Sequence, residues 1–189
     1  MMKGKMQFFF VAIAMFLLTA VSADAQKYFT RDGEISFFSD APLEKIEAVN
    51  KKVASVLDGE TGAIEFAVLI KSFHFEKALM EEHFNENYLE SGKYPKATFT
   101  GTIDNISAID LNTDGEYTAQ VSGDMTIHGV TKPVSTTGKL IVSNGTIKAT
   151  STFEIAVADY EIKIPKVVKD NIAEIVEIRV AIDYKRLEQ

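Results

Sequence analysis

The chain has 189 residues, no cysteine, three histidines and a formal charge of −7. That length suits one domain with its own core, and the absence of cysteine excludes a disulfide scaffold. The acidic balance disfavours nucleic acid and anionic membrane surfaces as partners.

Residues 1–25 read as a signal peptide. Lys3 and Lys5 precede an apolar run, Met6 to Ala20, that suits a signal core and is short for a membrane span. Ala23-Asp24-Ala25 supplies an A-x-A cleavage pattern. The expected mature domain is therefore 26–189, with a charge of −8 once two lysines and one aspartate are removed. No cysteine follows the apolar run, so a lipid-modified N-terminus is not expected. The expected location is periplasmic or secreted, without stable membrane insertion after cleavage.

Gly33 to Ser39 reads as a first long strand, with Ile35 and Phe37 on one side, broken by Asp40-Ala41-Pro42. Ile46 to Leu57 is ambiguous: Leu43, Ile46, Val49, Val53, Val56 and Leu57 fit a helix, while Val49, Val53 and Leu57 share strand parity. Ala63 to Ser72 alternates as a strand, with Ile64, Phe66, Val68 and Ile70 on one face. Glu76 to Leu89 is the clear helix, striped by Leu79, Met80, Phe84 and Tyr88, with Gly92 as its stop signal.

Strands follow at Ala97–Ile103, Tyr117–His128, Lys132–Val142, Thr146–Val157 and Ile172–Lys185. In the second of these, Tyr117, Ala119, Val121, Gly123, Met125 and Ile127 share the apolar parity. Asn144-Gly145 between alternating runs predicts a tight hairpin. Asp159 to Asp170 reads as a loop carrying Pro165. The pattern is all-β and mainly antiparallel, a meander closed as a sandwich or a barrel. The last strand, with Val176, Ile178, Val180, Ile182 and Tyr184 on one face, is long enough to run the height of a tall barrel of about eight strands.

The inward face mixes aromatic with tiny residues: Phe37, Phe66, Phe99, Gly101, Gly123, Gly138, Ala149, Ser151 and Phe153. Ordinary large-small packing explains such a mixture, and so does an apolar tunnel. The helix stripe with Phe73 and Phe75 packs on the sheet or also lines a ligand's entry. His74 and His83 are nine apart, a spacing that matches neither a helical pair nor a zinc ribbon, so no metal is expected. His128, in the turn before Gly129, either hydrogen-bonds that turn or meets a polar head at a barrel mouth. There is no G-x-S-x-G elbow, phosphate loop or dinucleotide fingerprint, so no catalytic residue and no cofactor other than a bound lipid is expected.

The stretch Val121-Ser122-Gly123-Asp124-Met125-Thr126-Ile127-His128-Gly129-Val130-Thr131-Lys132-Pro133 resembles the G-x-L-T-I-H-G-V-T-x-P hairpin of the YceI-like family of exported polyisoprenoid-binding proteins, with Met125 in the place of leucine. Tyr94-Pro95-Lys96-Ala97-Thr98-Phe99 followed by Gly101 is similar to that family's P-x-A-x-F strand entry, and Asp159-Tyr160 also fits. The resemblance implies an extended lipocalin-like barrel with a helix near one end, a long isoprenoid or fatty chain threaded inside, and no catalysis. It also favours a strand at Ile46–Leu57. Many members carry a histidine near the end of the first long strand; this chain has Phe38-Ser39-Asp40 there.

The expected function is therefore sequestration or carriage of an amphipathic long-chain lipid. The expected lining is Phe37, Phe66, Val68, Phe99, Gly101, Met125, Ile127, Phe153, Ile178 and Val180. Phe75, Met80, Phe84, His128 and Tyr160 are the expected mouth residues. A homodimer is compatible with the chain. The rival readings are an interaction domain with a fully packed core and, less favoured by the residues, a hydrolase or isomerase acting on a lipid inside the barrel.

Overall fold

The computed structural model describes residues 26–187; the signal-peptide reading of residues 1–25 lies outside them. Nine strands and one short helix follow in order: β1 (Lys27–Asp40), β2 (Lys45–Asp58), β3 (Ala63–Leu69), β4 (Phe73–Phe75), α1 (Ala78–His83), β5 (Lys96–Ile103), β6 (Gly115–Ile127), β7 (Val130–Ser143), β8 (Thr146–Ala156) and β9 (Ile175–Arg186). All pairings are antiparallel, in the order β1-β9-β8-β7-β6-β5-β3-β2-β4, and β1 also pairs with β2. Eight strands thus close a barrel, with β4 as a short flap on β2. Among the described residues no helix is long and apolar enough to cross a membrane.

The ambiguous segment Ile46–Leu57 is strand, because it lies between β1 and the β3–β4 run and both flanks are paired. Its parity is not constant, however. The β1–β2 register shifts between Thr30 and Gly33 and again between Gly33 and Ile35. One extra residue on each strand switches the inward set from Tyr28 and Thr30 to Ile35, Phe37 and Ser39, and from Leu57, Ser55 and Val53 to Asn50, Ala48 and Ile46. Val49, Val53 and Leu57 therefore do not share a face. Asn50 is fully buried where β3 gives way to β4; its amide donates to Leu69 O at 2.9 Å and its Oδ1 accepts from Lys52 N–H at 2.9 Å.

Two turns need the left-handed region. Asn144 (φ 49°) and Gly145 (φ 75°) make the predicted hairpin, and His128 (φ 52°) and Gly129 (φ 78°) make the β6–β7 turn. The predicted helix is shorter than Glu76–Leu89. It starts at Ala78 and ends in one wide turn, Phe84–Tyr88, closed by Leu89 N–H to Phe84 O at 2.9 Å. Glu90 (φ 42°), not Gly92, takes the left-handed position that ends it. Leu79, expected in the buried stripe, is 62% exposed.

One barrel end is plugged. Tyr28, Leu57, Ile103, Val142, Ile147 and Tyr184 are buried there, with Ile109 and Leu111 folded in from the β5–β6 connection. The Tyr184 phenol is raised by burial; it donates to Ser55 Oγ at 2.6 Å, and Ser55 in turn donates to Glu65 O at 2.8 Å. The opposite end carries α1, the β1–β2 hairpin and the 157–174 segment.

Candidate functional site

The barrel is not filled between these ends. A cavity of about 460 Å³ runs from the plug at Ile103 and Leu140 up to α1, within the range of roughly 300–1,000 Å³ typical of ligand sites. On β5 both Ala97 and Ile103 line it, six residues apart and so about 20 Å of strand at 3.3 Å per residue. Its wall is almost wholly hydrocarbon. Phe37, Phe66, Val68, Phe99, Met125 and Ile127 lie on it, as do Phe153, Ile178 and Val180. Phe75, Met80 and Phe84 line its α1 end.

Three expected site residues are elsewhere. Gly101 pairs with Gly123 across the β5–β6 ladder, and the Phe99 ring leans over both. An ideal Cβ on Gly101 would meet Phe99 Cζ at 2.6 Å; one on Gly123 would meet Gly101 Cα and Thr100 O at 2.5 Å. This glycine pair is roofed by an aromatic ring and leaves no vacancy. Gly138 differs: a Cβ there would meet only Thr150 O at 3.2 Å and Ser151 Cβ at 3.9 Å.

His128 and Tyr160 are the other two. The His128 ring, T-shaped against Tyr94 at 4.6 Å, has Nδ1 3.1 Å from Tyr160 O and Nε2 2.7 Å from a Glu90 carboxylate oxygen. Both partners are oxygen acceptors, the Tyr160 carbonyl and the Glu90 carboxylate, one at each ring nitrogen. His128 thus clasps the β6–β7 turn to two other segments of the mouth and is turned away from the cavity. Tyr160 is buried in a second cluster with Ile70, Leu89 and Ile162, and burial raises its phenol.

A roof over the α1 end comes from the 159–170 segment. The segment read as a loop sends Ile162, Ile164 and Val168 onto the cavity wall, followed by Asn171 and Ile172. The signal was there, in apolar residues interleaved with Lys163, Lys166 and Lys169. Leu43 N–H donates to Asp170 O at 2.9 Å, and Ala173 N–H donates to Ser39 Oγ at 2.8 Å. Glu44 accepts from Lys77 Nζ at 2.9 Å and from Asn171 Nδ2 at 3.4 Å; the Lys77 bond holds its carboxyl below the ordinary carboxylate value. Beneath the roof, Phe84 packs with Phe37, Phe73 and Phe75 at ring separations of 5.0–5.6 Å. Ser39, Glu44, His83 and Asn171 are the polar residues at this end of the wall. Among the described residues no group of three or more His, Cys, Asp or Glu could hold a metal ion; His74 reaches only Glu81, at 3.5 Å.

A closed eight-strand antiparallel barrel around an elongated apolar cavity, with a helix at one end, defines a lipocalin-like binding fold. Residues 11–184 match the YceI-like domain, and the chain belongs to that family. It is 34% identical over 104 residues to a UPF0312 protein of Pseudomonas fluorescens, covering 54% of this chain and 43% of that protein. It is also 45% identical over 49 residues to a UPF0312 protein of Pseudomonas putida, covering 26% and 22%. The chain thus spans less than half the length of these curated relatives. Two solved structures share the fold at low identity. One is a polyisoprenoid binding domain from Saccharophagus degradans implicated in plant cell wall breakdown (TM-score 0.75, 14% identity, covering 86% of this chain and 99% of that one). The other is BcnA of Burkholderia cenocepacia (TM-score 0.66, 17% identity, covering 80% and 95%).

Proposed function

We infer that this protein is an exported, non-catalytic binder of an amphipathic long-chain lipid, a polyisoprenoid, isoprenoid quinone or fatty-acid derivative, whose hydrocarbon chain occupies the barrel. The continuous apolar cavity carries this reading, and the polyisoprenoid binding domain of the same fold supports the ligand class. Each CH₂ taken from water contributes about 0.8 kcal/mol, so a long chain needs few polar contacts; ordering it offsets part of the gain. Phe37, Phe66, Val68, Phe99, Met125, Ile127, Phe153, Ile178 and Val180 serve as the chain-contacting wall, and Phe75, Met80 and Phe84 as its α1 end. Glu44, the carboxylate on the wall, is engaged by Lys77 and Asn171, an arrangement that fits positioning of the roof better than proton transfer.

The test is native mass spectrometry of the protein purified from an exporting host, followed by organic extraction. A co-purifying long-chain lipid released by solvent is the expected result. Recovery of none, together with no uptake of an added fluorescent fatty acid, refutes the reading.

A further inference from the structure

The barrel wall is incomplete along one seam. β7 pairs with β6 from Val142 to Val130, and β8 pairs with β9 from Ile147 to Ala156. Between themselves, β7 and β8 pair only from Ser143↔Thr146 to Gly138↔Ser151. There the Ser151 hydroxyl takes over, donating to Thr137 O at 2.9 Å and lying 3.1 Å from Thr136 Oγ1. Towards α1 from that point, the two strands continue on their outer neighbours without a ladder across the seam, until the buried Tyr160 cluster joins Val130 of β7 to Ile155 of β8. Pro133 sits in this stretch of β7, and proline is confined to strand positions without a ladder partner for its missing N–H.

Different surroundings meet at this seam. Inside, Val134, Thr136, Phe153 and Ile155 lie on the apolar cavity wall. Outside, a hollow of about 430 Å³ is lined by Thr118, Thr137, Lys139, Thr150 and Thr152. Cavity and hollow share Gly138, Thr150 and Ser151, so they lie on opposite faces of the wall where the β7–β8 ladder ends. The end under α1 is the contrary case, tied down through Leu43, Glu44, Ser39 and the Phe84 cluster.

We propose that the β7–β8 seam is a lateral portal, through which the chain of an amphipathic lipid enters while its polar head rests in the outer hollow beside Thr137, Lys139 and Thr152. The proposal rests on the lipid-binding reading and adds where the ligand passes and where its head lies. An open seam lets a hydrocarbon tail slide between splayed strands without breaking main-chain hydrogen bonds, whereas entry under α1 has to break the roof contacts.

The absence of cysteine makes the test clean. Extrapolating the register places Ser135 opposite Glu154 across the open seam, and both side chains are exposed. A Ser135→Cys/Glu154→Cys variant is joined by a short bis-maleimide. A Leu43→Cys/Asp170→Cys variant, at the Leu43–Asp170 contact, is joined in the same way to lock the roof. Uptake and release of cis-parinaric acid are followed by fluorescence, each variant being compared with its own uncross-linked form. The seam staple is expected to slow both rates by more than about tenfold with little change in Kd, and the roof staple to leave them within about twofold. Unchanged rates in the seam-stapled protein, or slowing by the roof staple, overturn the portal while leaving the binding reading standing. A parent protein that takes up no probe overturns both. Hydrogen exchange on the unmodified protein is the second measurement: amides of 131–136 and 152–155 that lack a partner on their other strand should exchange faster than those of 139–142 and gain protection with the probe. Equal protection without the probe also overturns the portal.

Discussion

Gly138→Leu is the substitution that separates a hollow barrel from a packed one. The Gly138 Cβ direction leads past Thr150 O at 3.2 Å and Ser151 Cβ at 3.9 Å, and Gly138 lies on the cavity wall, so a leucine side chain projects into open volume. Its four carbons displace about four methylene equivalents of ligand, about 3 kcal/mol or roughly two-hundredfold in affinity. Folding stability should change by less than about 1 kcal/mol, because the new side chain gains burial against only a tight approach to one carbonyl. Gly123→Ala is the contrast: its single methyl group would meet Gly101 Cα and Thr100 O at 2.5 Å, both backbone atoms. Overpacking there should cost about 1–3 kcal/mol. Urea unfolding with circular dichroism reads the stability, and titration with a fluorescent fatty acid reads the affinity. If Gly138→Leu destabilises as much as Gly123→Ala, or binds the fatty acid unchanged, the cavity is not where the chain sits.

Other outcomes follow from the contacts at the two barrel ends. Tyr184→Phe should lower stability by about 1 kcal/mol in urea unfolding, since it removes the hydrogen bond to Ser55 while Ser55 keeps Glu65 O. His128→Ala should lower stability by about 1–2 kcal/mol by breaking the clasp to Glu90 and Tyr160 O, yet leave fatty-acid affinity within about threefold; a large affinity loss at unchanged stability would return His128 to the ligand site. The Glu44 carboxyl, held low by Lys77, contributes stability that is present above the unfolded value near 4.5 and is lost as pH falls through the lower folded value. Glu44→Gln should therefore be less stable than the parent at neutral pH, with the gap closing in acid below 4.5. A gap that widens in acid contradicts that assignment.

Strands β1, β3 and β5 to β9, the Asn144-Gly145 turn, the inward parity of β5 to β9 and the YceI-like hairpin motif were readable from the sequence, because alternation and turn chemistry involve residues a few positions apart; β2 and the short β4 were not. Most of the wall followed, including Phe66, Phe99, Phe153 and Ile178. What could not be read needed distant partners. The bulges in β1 and β2 reverse parity within each strand, and only their pairing shows where. Gly101, Gly123 and Gly138 are alike as letters; Phe99 covers the first two, whereas the third lies where β7 and β8 begin to part. His128 stays off the cavity wall because Glu90 and Tyr160 O are brought to it by other elements. Period is a property of neighbouring residues, but empty volume is what remains after strands far apart in sequence have met, so the sequence offered a tunnel only as one of two packings, and where the cavity runs and where its wall opens was decided by the tertiary structure.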